Sequence, residues 1–85
     1  MQPITSQVGV DFLRTEVETA GVFARIASEA QDPEKRARNL RNSRRGYNTL
    51  LHFVRTLVLT ADEQAEMNLK ISHLRRQLMN LGENV

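Results

Sequence analysis

The residues best suited to chemistry in this chain are arginines within one run of basic residues. Six bases lie between Lys35 and Arg45, with no acid among them. Arg38, Arg41 and Arg45 recur at i, i+3 and i+7, a spacing that places them along one side of a helix. Guanidinium groups donate paired hydrogen bonds to carboxylates and phosphates. The run therefore indicates a surface for an acidic protein partner or for a nucleic-acid backbone.

The same side of the helix is continued by two further polar residues. We call the whole predicted contact surface the arginine face, and it comprises Arg38, Arg41, Arg45, Asn48 and His52. A third interpretation stays open, in which the face meets only solvent and its arginines pair with acids of the same chain. Glu34 and Arg38, for example, have the i, i+4 spacing of a helical ion pair.

The pattern of potential catalytic residues predicts no enzyme. His52 and His73 are the only histidines, and they are too far apart in sequence to form an i, i+4 metal pair on one helix. The chain has no cysteine, which excludes thiolate metal sites and a cysteine nucleophile. Its glycines are isolated, so no phosphate-binding loop is present. We expect no catalytic residue, no cofactor and no metal ion.

Hydrophobic periodicity predicts an all-α protein, a small antiparallel three-helix bundle with helices at about 10–30, 33–58 and 61–81. Asp32, Pro33 and Glu34 form a start signal for the second helix, because Asp caps free N–H groups and Pro suits the first helical position. Thr60 and Glu63 have the spacing of a capping box for the third helix. No period-two run predicts a strand.

Each predicted helix carries an apolar seam for the core. The first seam consists of small and aliphatic residues, the second includes a serine and a tyrosine, and the third is mostly aliphatic. The seam residues are Leu13, Val17, Ala20, Ala24 and Ala27 in the first helix, Leu40, Ser43, Tyr47, Leu50, Val54 and Leu57 in the second, and Gln64, Met67, Ile71, Leu74, Leu78 and Leu81 in the third.

The second helix is thin at its middle, where Ser43 and Gly46 leave space for a neighbour. We expect a bulky residue of the first helix, with Phe23 as the candidate, to pack there. Arg44 lies at the border of the apolar side. Its aliphatic stem is expected to cover the core while its charged head reaches water, and the rival interpretation is a buried ion pair with an acid of the first helix.

A second apolar stripe on the third helix predicts self-association. It lies roughly opposite the core seam and consists of Ala65, Leu69, Ser72 and Met79. A helix with two apolar sides often contacts two neighbours. Because a chain of 85 residues builds only a small core, burial against a second copy would add stability. We therefore expect a homodimer or another homo-oligomer.

Charge and composition lead to the functional hypothesis. The basic run carries +6, and the rest of the chain has six bases against ten acids, so it carries −4. We expect a single domain over residues 1–85, frayed at 1–9 and 83–85, with no membrane segment and a cytoplasmic location. The leading hypothesis is a non-catalytic, self-associating protein interaction module with an acidic partner. The alternative is a small nucleic-acid-binding or regulatory protein that uses the same face on phosphates.

Overall fold

The computed structural model describes residues 5–85 and contains three α-helices in that range. Helix α1 spans Thr5–Glu29, α2 spans Pro33–Thr56 and α3 spans Ala61–Asn80. Short connections reverse the chain after α1 and after α2, and all three helices pack against one another. Among the described residues there is no strand. The predicted antiparallel three-helix bundle is confirmed.

The starts of α2 and α3 follow from local hydrogen bonds that the sequence predicts. The Asp32 carboxylate accepts a hydrogen bond of 3.3 Å from the Glu34 N–H at the start of α2. At the start of α3 the Thr60 hydroxyl accepts from the Glu63 N–H at 3.1 Å, and the Glu63 carboxylate accepts from the Thr60 N–H at 2.9 Å. Each cap satisfies backbone donors that a helix end leaves free.

Helix α1 begins at Thr5, earlier than the predicted start near Val10. The expected lead-in at 1–9 is therefore helical from Thr5 onwards, while residues 1–4 lie outside the described part of the chain. Gly9 is buried, and a Cβ at this position would lie 2.9 Å from Cδ1 of Leu57 at the end of α2. This tertiary contact supports the first turns of α1, since packing stabilises helices more than local propensity does.

The last residues, 83–85, were expected to fray but fold back onto the bundle. Gly82 has a φ of +91°, and the Glu83 N–H donates at 3.0 Å to a carbonyl in the last turn of α3. This reversal is a common way to end a helix. The Glu83 carboxylate then accepts a hydrogen bond of 3.0 Å from Arg44, and Val85 packs against the core.

The three predicted seams form the core. The first seam is buried throughout, and the second and third seams are buried at their centres and partly buried nearer their ends. The buried seam residues are Leu13, Val17, Ala20, Ala24, Ala27, Ser43, Tyr47, Leu50, Met67, Ile71, Leu74 and Leu78, and the partly buried ones are Leu40, Val54, Leu57, Gln64 and Leu81.

Small residues let the backbones of α1 and α2 approach closely. A Cβ at Gly46 would lie only 2.9 Å from Cβ of Ala20, and the buried Ser43 hydroxyl donates a hydrogen bond of 2.8 Å to the Ala20 carbonyl. The prediction that Phe23 packs against the thin part of α2 is wrong. Ala20 fills this position because the close approach of the two backbones leaves no space for a ring, and Phe23 lies beside the contact, partly exposed.

Candidate interaction surfaces

The arginine face lies on the outer side of α2, away from the core. Its five residues, Arg38, Arg41, Arg45, Asn48 and His52, are all exposed. The buried residues of the same helix, Asn39, Ser43, Tyr47 and Leu50, lie on the opposite side. At 1.5 Å per residue the face extends for about 21 Å along the helix. The structure therefore brings the predicted residues together on one continuous surface.

The arginines of this face have no acidic partner in the part of the chain that the structure describes. Four ion pairs occur there, and none of them includes Arg38, Arg41 or Arg45. In particular, the predicted helical pair between Glu34 and Arg38 does not form. The guanidinium groups of the face consequently remain available to an external acceptor.

Four arginines outside this face behave differently, because each has an acceptor within the chain. Arg14 donates to Glu66, Arg36 donates to the Ala27 carbonyl at the end of α1, and Arg44 donates to Glu83. Arg75 donates to the carbonyl of Val85. Within residues 5–85, four arginines thus have acceptors in the chain and six do not, and three of those six form the row of the arginine face.

The strongest polar contact joins α1 to α3 through Glu66. Arg14 donates two hydrogen bonds to this carboxylate, of 2.8 and 2.7 Å, and Lys70 donates a third of 2.8 Å. The hydrogen bonds from Arg14 and then Lys70 lower the pKa of Glu66 from 4.5 to about 2. The hydrogen bond to Glu66 in turn raises the pKa of Arg14. This cluster is structural, because its charges satisfy one another.

Arg44 lies at the edge of the arginine face and combines parts of both interpretations of its sequence. Its side chain remains 35% exposed, and its head forms an ion pair of 3.0 Å, but the acid is Glu83 of the C-terminal tail rather than one of α1. The buried Nε of Arg44 has no hydrogen-bond partner among the described residues. A shallow groove of about 500 Å³ lies here, and its lining comprises Ala37, Leu40, Arg41, Arg44, Arg45, Asn48 and Glu83.

His52, at the far end of the arginine face, contacts an aromatic pair. Its ring meets Phe53 edge to face, with centroids 4.9 Å apart. Phe53 in turn packs edge to face against Phe12 of α1 at 5.3 Å. Both phenylalanines are partly exposed. The exposed imidazole thus lies beside a small aromatic cluster at the end of the arginine face.

The second apolar stripe lies on the outer side of α3. Ala65, Leu69, Ser72 and Met79 are all exposed. Leu69 is 74% exposed and Met79 is 52% exposed, so neither side chain contributes substantially to the core. The stripe is therefore a surface feature of the folded chain, as the sequence pattern predicts.

A groove between α1 and α3 is a surface that the sequence pattern does not predict. It has a volume of about 750 Å³, and Val17, Gly21, Val22, Leu69 and Leu74 contribute its apolar lining. It forms because α1 contacts α3 much less extensively than it contacts α2. The only sequence signal for it is the position of Gly21, which falls off the main apolar seam of α1.

Residues 5–85 contain neither a membrane-spanning helix nor a cluster of metal ligands. No helix within residues 5–85 is both long and apolar enough to cross a membrane. In the same range, no three acidic or histidine side chains lie close enough together to hold a metal ion. No protein-family model matches the chain, and neither a curated protein nor a solved structure shows detectable similarity to it.

Proposed function

We propose that the chain is a non-catalytic protein interaction module whose arginine face binds an acidic partner protein. The observation that carries this proposal is the contrast among its arginines. Arg38, Arg41 and Arg45 are exposed, unpaired within residues 5–85 and aligned on one face, whereas four other arginines have acceptors in the chain. Exposed guanidinium groups in a row offer an external carboxylate paired hydrogen bonds at little cost in desolvation.

The groove beside the arginine face supports a protein partner rather than a phosphate backbone. Ala37 and Leu40 give the groove apolar surface, while Arg41 and Arg45 contribute positive charge. An acidic amphipathic helix carries both matching groups, because it presents apolar side chains between its carboxylates. A nucleic-acid backbone has the charge but lacks the apolar side chains. Long-range attraction between the opposite charges would also accelerate the encounter.

The alternative is a small nucleic-acid-binding or regulatory protein that uses the same face. The three unpaired guanidinium groups favour it as well, since their planar forks match phosphate oxygens. Such binding would be largely independent of sequence and would weaken steeply between low and physiological salt, because counterions are released from the nucleic acid. We propose a cytoplasmic location for either function, on the basis of the absence of cysteine from the chain.

A binding measurement with two defined probes tests the proposal. One probe is a synthetic helical peptide with glutamates at i, i+3 and i+7 and leucines between them, and the other is a short DNA duplex. Binding of each is followed by fluorescence anisotropy at low and physiological salt. The test variant combines Arg41→Glu with Arg45→Glu. The control combines Arg25→Glu with Arg76→Glu, which makes the same change of net charge at exposed, unpaired positions of α1 and α3.

The proposal predicts that the peptide binds the wild-type protein and the control, and that the test variant loses at least tenfold in affinity. Duplex binding that the test variant loses, with no peptide binding, would favour the alternative. If neither probe binds at low salt, or if both variants lose peptide affinity equally, the arginine face is not the contact surface.

Self-association is the second part of the proposed function. The exposure of Leu69 and Met79 supports it, because two large apolar side chains on one helix face gain stability when a second copy covers them. Sedimentation velocity of the wild type against a variant with Leu69→Lys and Met79→Lys tests this part. We expect a wild-type dimer at micromolar concentrations and a monomeric variant. A wild-type monomer at these concentrations would reject the stripe as an interface.

A further inference from the structure

Gly21 is the one glycine of this chain whose missing side chain is explained neither by a close contact nor by a positive φ. A Cβ at Gly9 or at Gly46 would lie 2.9 Å from a side-chain atom of a neighbouring helix, and Gly82 has a φ of +91°. At Gly21 the nearest atom to such a Cβ would be Oε1 of Gln77, 3.7 Å away, an ordinary contact. Glycine within a helix is unfavourable relative to alanine, so packing inside this chain gives no reason for its presence at position 21.

Gly21 lies within the groove between α1 and α3, which is open to solvent. The groove has a volume of about 750 Å³. Val22 beside it is 37% exposed and Leu69 on the other wall is 74% exposed. Charged and polar side chains complete the lining, namely Arg14, Glu18, Arg25, Lys70, His73 and Gln77. A missing side chain in such a groove lets another backbone approach α1 closely, as Gly46 does for α2.

We propose that the α3 helix of a second copy of this chain occupies the groove, with Leu69 of each copy directed toward Gly21 of the other. The inference rests on the proposed self-association and adds the receiving half of the interface. Leu69 both lines the groove and belongs to the exposed stripe, so one surface supplies the inserted side chain and the site that accepts it. A two-fold dimer requires such a self-complementary surface.

The charges of α3 identify the second copy as the occupant. The first half of the helix contains three acids, Asp62, Glu63 and Glu66, against one base, Lys70, whereas the second half contains Arg75 and Arg76 and no acid. Glu66 and Lys70 pair with each other, so Asp62 and Glu63 carry the remaining negative charge. Two copies of α3 that pack antiparallel place the acidic half of one beside the basic half of the other. Parallel packing would bring like charges together. The sequence of α3 is therefore complementary to itself in one orientation only.

This orientation also agrees with the position of the groove along the helix. A two-fold axis at the centre of α3, between Lys70 and Ile71, places Leu69 of one copy opposite Ser72 of the other. Ser72 is less than one helical turn from Leu74, and Leu74 lines the groove together with Gly21. The exposed leucine of one copy then reaches the level of Gly21 in the other.

Substitutions at Gly21 test the inference by filling the groove without disturbing the fold. Gly21→Ala adds a single methyl group that has space beside Oε1 of Gln77, 3.7 Å away, and Gly21→Leu fills the space that the second copy would occupy. Thr15→Leu is the matched control, because it adds a leucine to an exposed position of α1 outside the groove. Sedimentation velocity over a range of micromolar concentrations measures the dissociation constant, and thermal unfolding at the lowest concentration measures the stability of the subunit.

We expect Gly21→Leu to weaken the dimer at least tenfold and Thr15→Leu to leave it unchanged. Gly21→Ala should weaken the dimer less, while it raises the melting temperature of the dilute subunit by a few degrees, since alanine favours the helix. A charge exchange tests the orientation. Arg76→Glu should weaken the dimer, and combination with Asp62→Lys should restore most of the loss, because the two charges meet across an antiparallel interface.

The possible failures are distinguishable. A wild-type monomer would reject both the self-association and the groove as its site. A dimer that Leu69→Lys with Met79→Lys dissociates but Gly21→Leu does not would overturn the groove alone. If Gly21→Leu lowers the stability of the subunit, Gly21→Ala decides the question, and an unchanged dissociation constant for that variant overturns the inference. None of these results depends on the arginine face, whose test uses separate variants and probes.

Discussion

Helix α1 forms two very different contacts on two of its sides. Toward α2 it presents Ala20. Gly46 of α2 lets the two backbones come so close that a Cβ at position 46 would lie 2.9 Å from Cβ of Ala20. Toward α3 it presents Gly21, and the surface there is an open groove. Residues adjacent in sequence thus serve a closed interface and an open one. A small residue of one helix thus permits a close helix contact only when the residue that faces it on the other helix is also small.

The two contacts also differ in what stabilises them. Between α1 and α2 the main contributions are dispersion and the buried hydrogen bond from Ser43 to the Ala20 carbonyl. Between α1 and α3 the core residues are supplemented by the partly exposed ion pair of Arg14 with Glu66. The first contact should therefore be sensitive to side-chain volume and the second to pH. Four predictions test this comparison.

The largest effect is expected from Gly46→Leu, which places a large side chain where no space exists. The Cβ alone would lie 2.9 Å from Cβ of Ala20 and 3.7 Å from its Cα, so the two helices would have to separate. We expect a loss of about 3 kcal/mol or more in the free energy of unfolding. Urea denaturation measures it. Gly21→Leu on the open side is the control, and equal losses in the two variants would contradict the comparison.

Ser43→Ala should have an intermediate effect. The substitution removes the buried hydrogen bond of 2.8 Å to the Ala20 carbonyl but leaves the close packing of the helices in place. We expect the free energy of unfolding to fall by about 1 kcal/mol, the usual net value of one such hydrogen bond. Ser72→Ala, at an exposed position of α3, provides the control. No difference between the two variants would show that the hydroxyl does not stabilise the closed contact.

Acid should weaken the contact between α1 and α3 through Glu66. Its pKa in the folded protein, about 2, lies below its ordinary value of 4.5. The stabilisation is therefore fully present above about pH 4.5 and is lost as the pH falls through about 2.

The stability difference between the wild type and Glu66→Gln measures this contribution while the other acids titrate equally in both proteins. We expect a constant difference above pH 4.5 that shrinks toward pH 2. A difference that does not change over this interval would show that the carboxylate is not held by Arg14 and Lys70 in solution.

The smallest effect is expected from Gly9→Ala. Its Cβ would also meet an atom at 2.9 Å, but that atom is Cδ1 of Leu57, the end of a flexible side chain. Rotation of the leucine relieves the contact, and the better helix propensity of alanine offsets the remaining cost. We expect a change within about 0.5 kcal/mol in the free energy of unfolding. A loss as large as that of Gly46→Leu would mean that distance alone, and not the rigidity of the neighbour, decides the cost.

The sequence predicted the helices that carry their own start signals. Asp32 with Pro33, and Thr60 with Glu63, set the first residues of α2 and α3 through hydrogen bonds within one turn. The start of α1 could not be read in this way, because Leu57 from a distant part of the chain packs over Gly9. The position of Phe23 was predicted wrongly for a related reason. Helical periodicity gives the side of a residue but not the distance to the next helix.

The candidate surfaces divide in the same manner. Periodicity alone was sufficient to place the arginine face and the stripe with Leu69 on the outer sides of their helices, because charged and apolar side chains separate by face in a bundle. It could not tell which arginines would find acceptors. Arg44 pairs with Glu83 only because the tail folds back, and Arg14 pairs with Glu66 across two helices.

What the sequence by itself determined is the set of helices, the positions of the caps and the side of each helix that faces the core. These properties depend on residues within a few turns of one another. Only the tertiary structure decided which side of α1 forms a closed contact and which side borders an open groove, and which arginines have no acceptor among the described residues. Both outcomes depend on distances between residues far apart in the chain, and those distances are fixed when the three helices pack together.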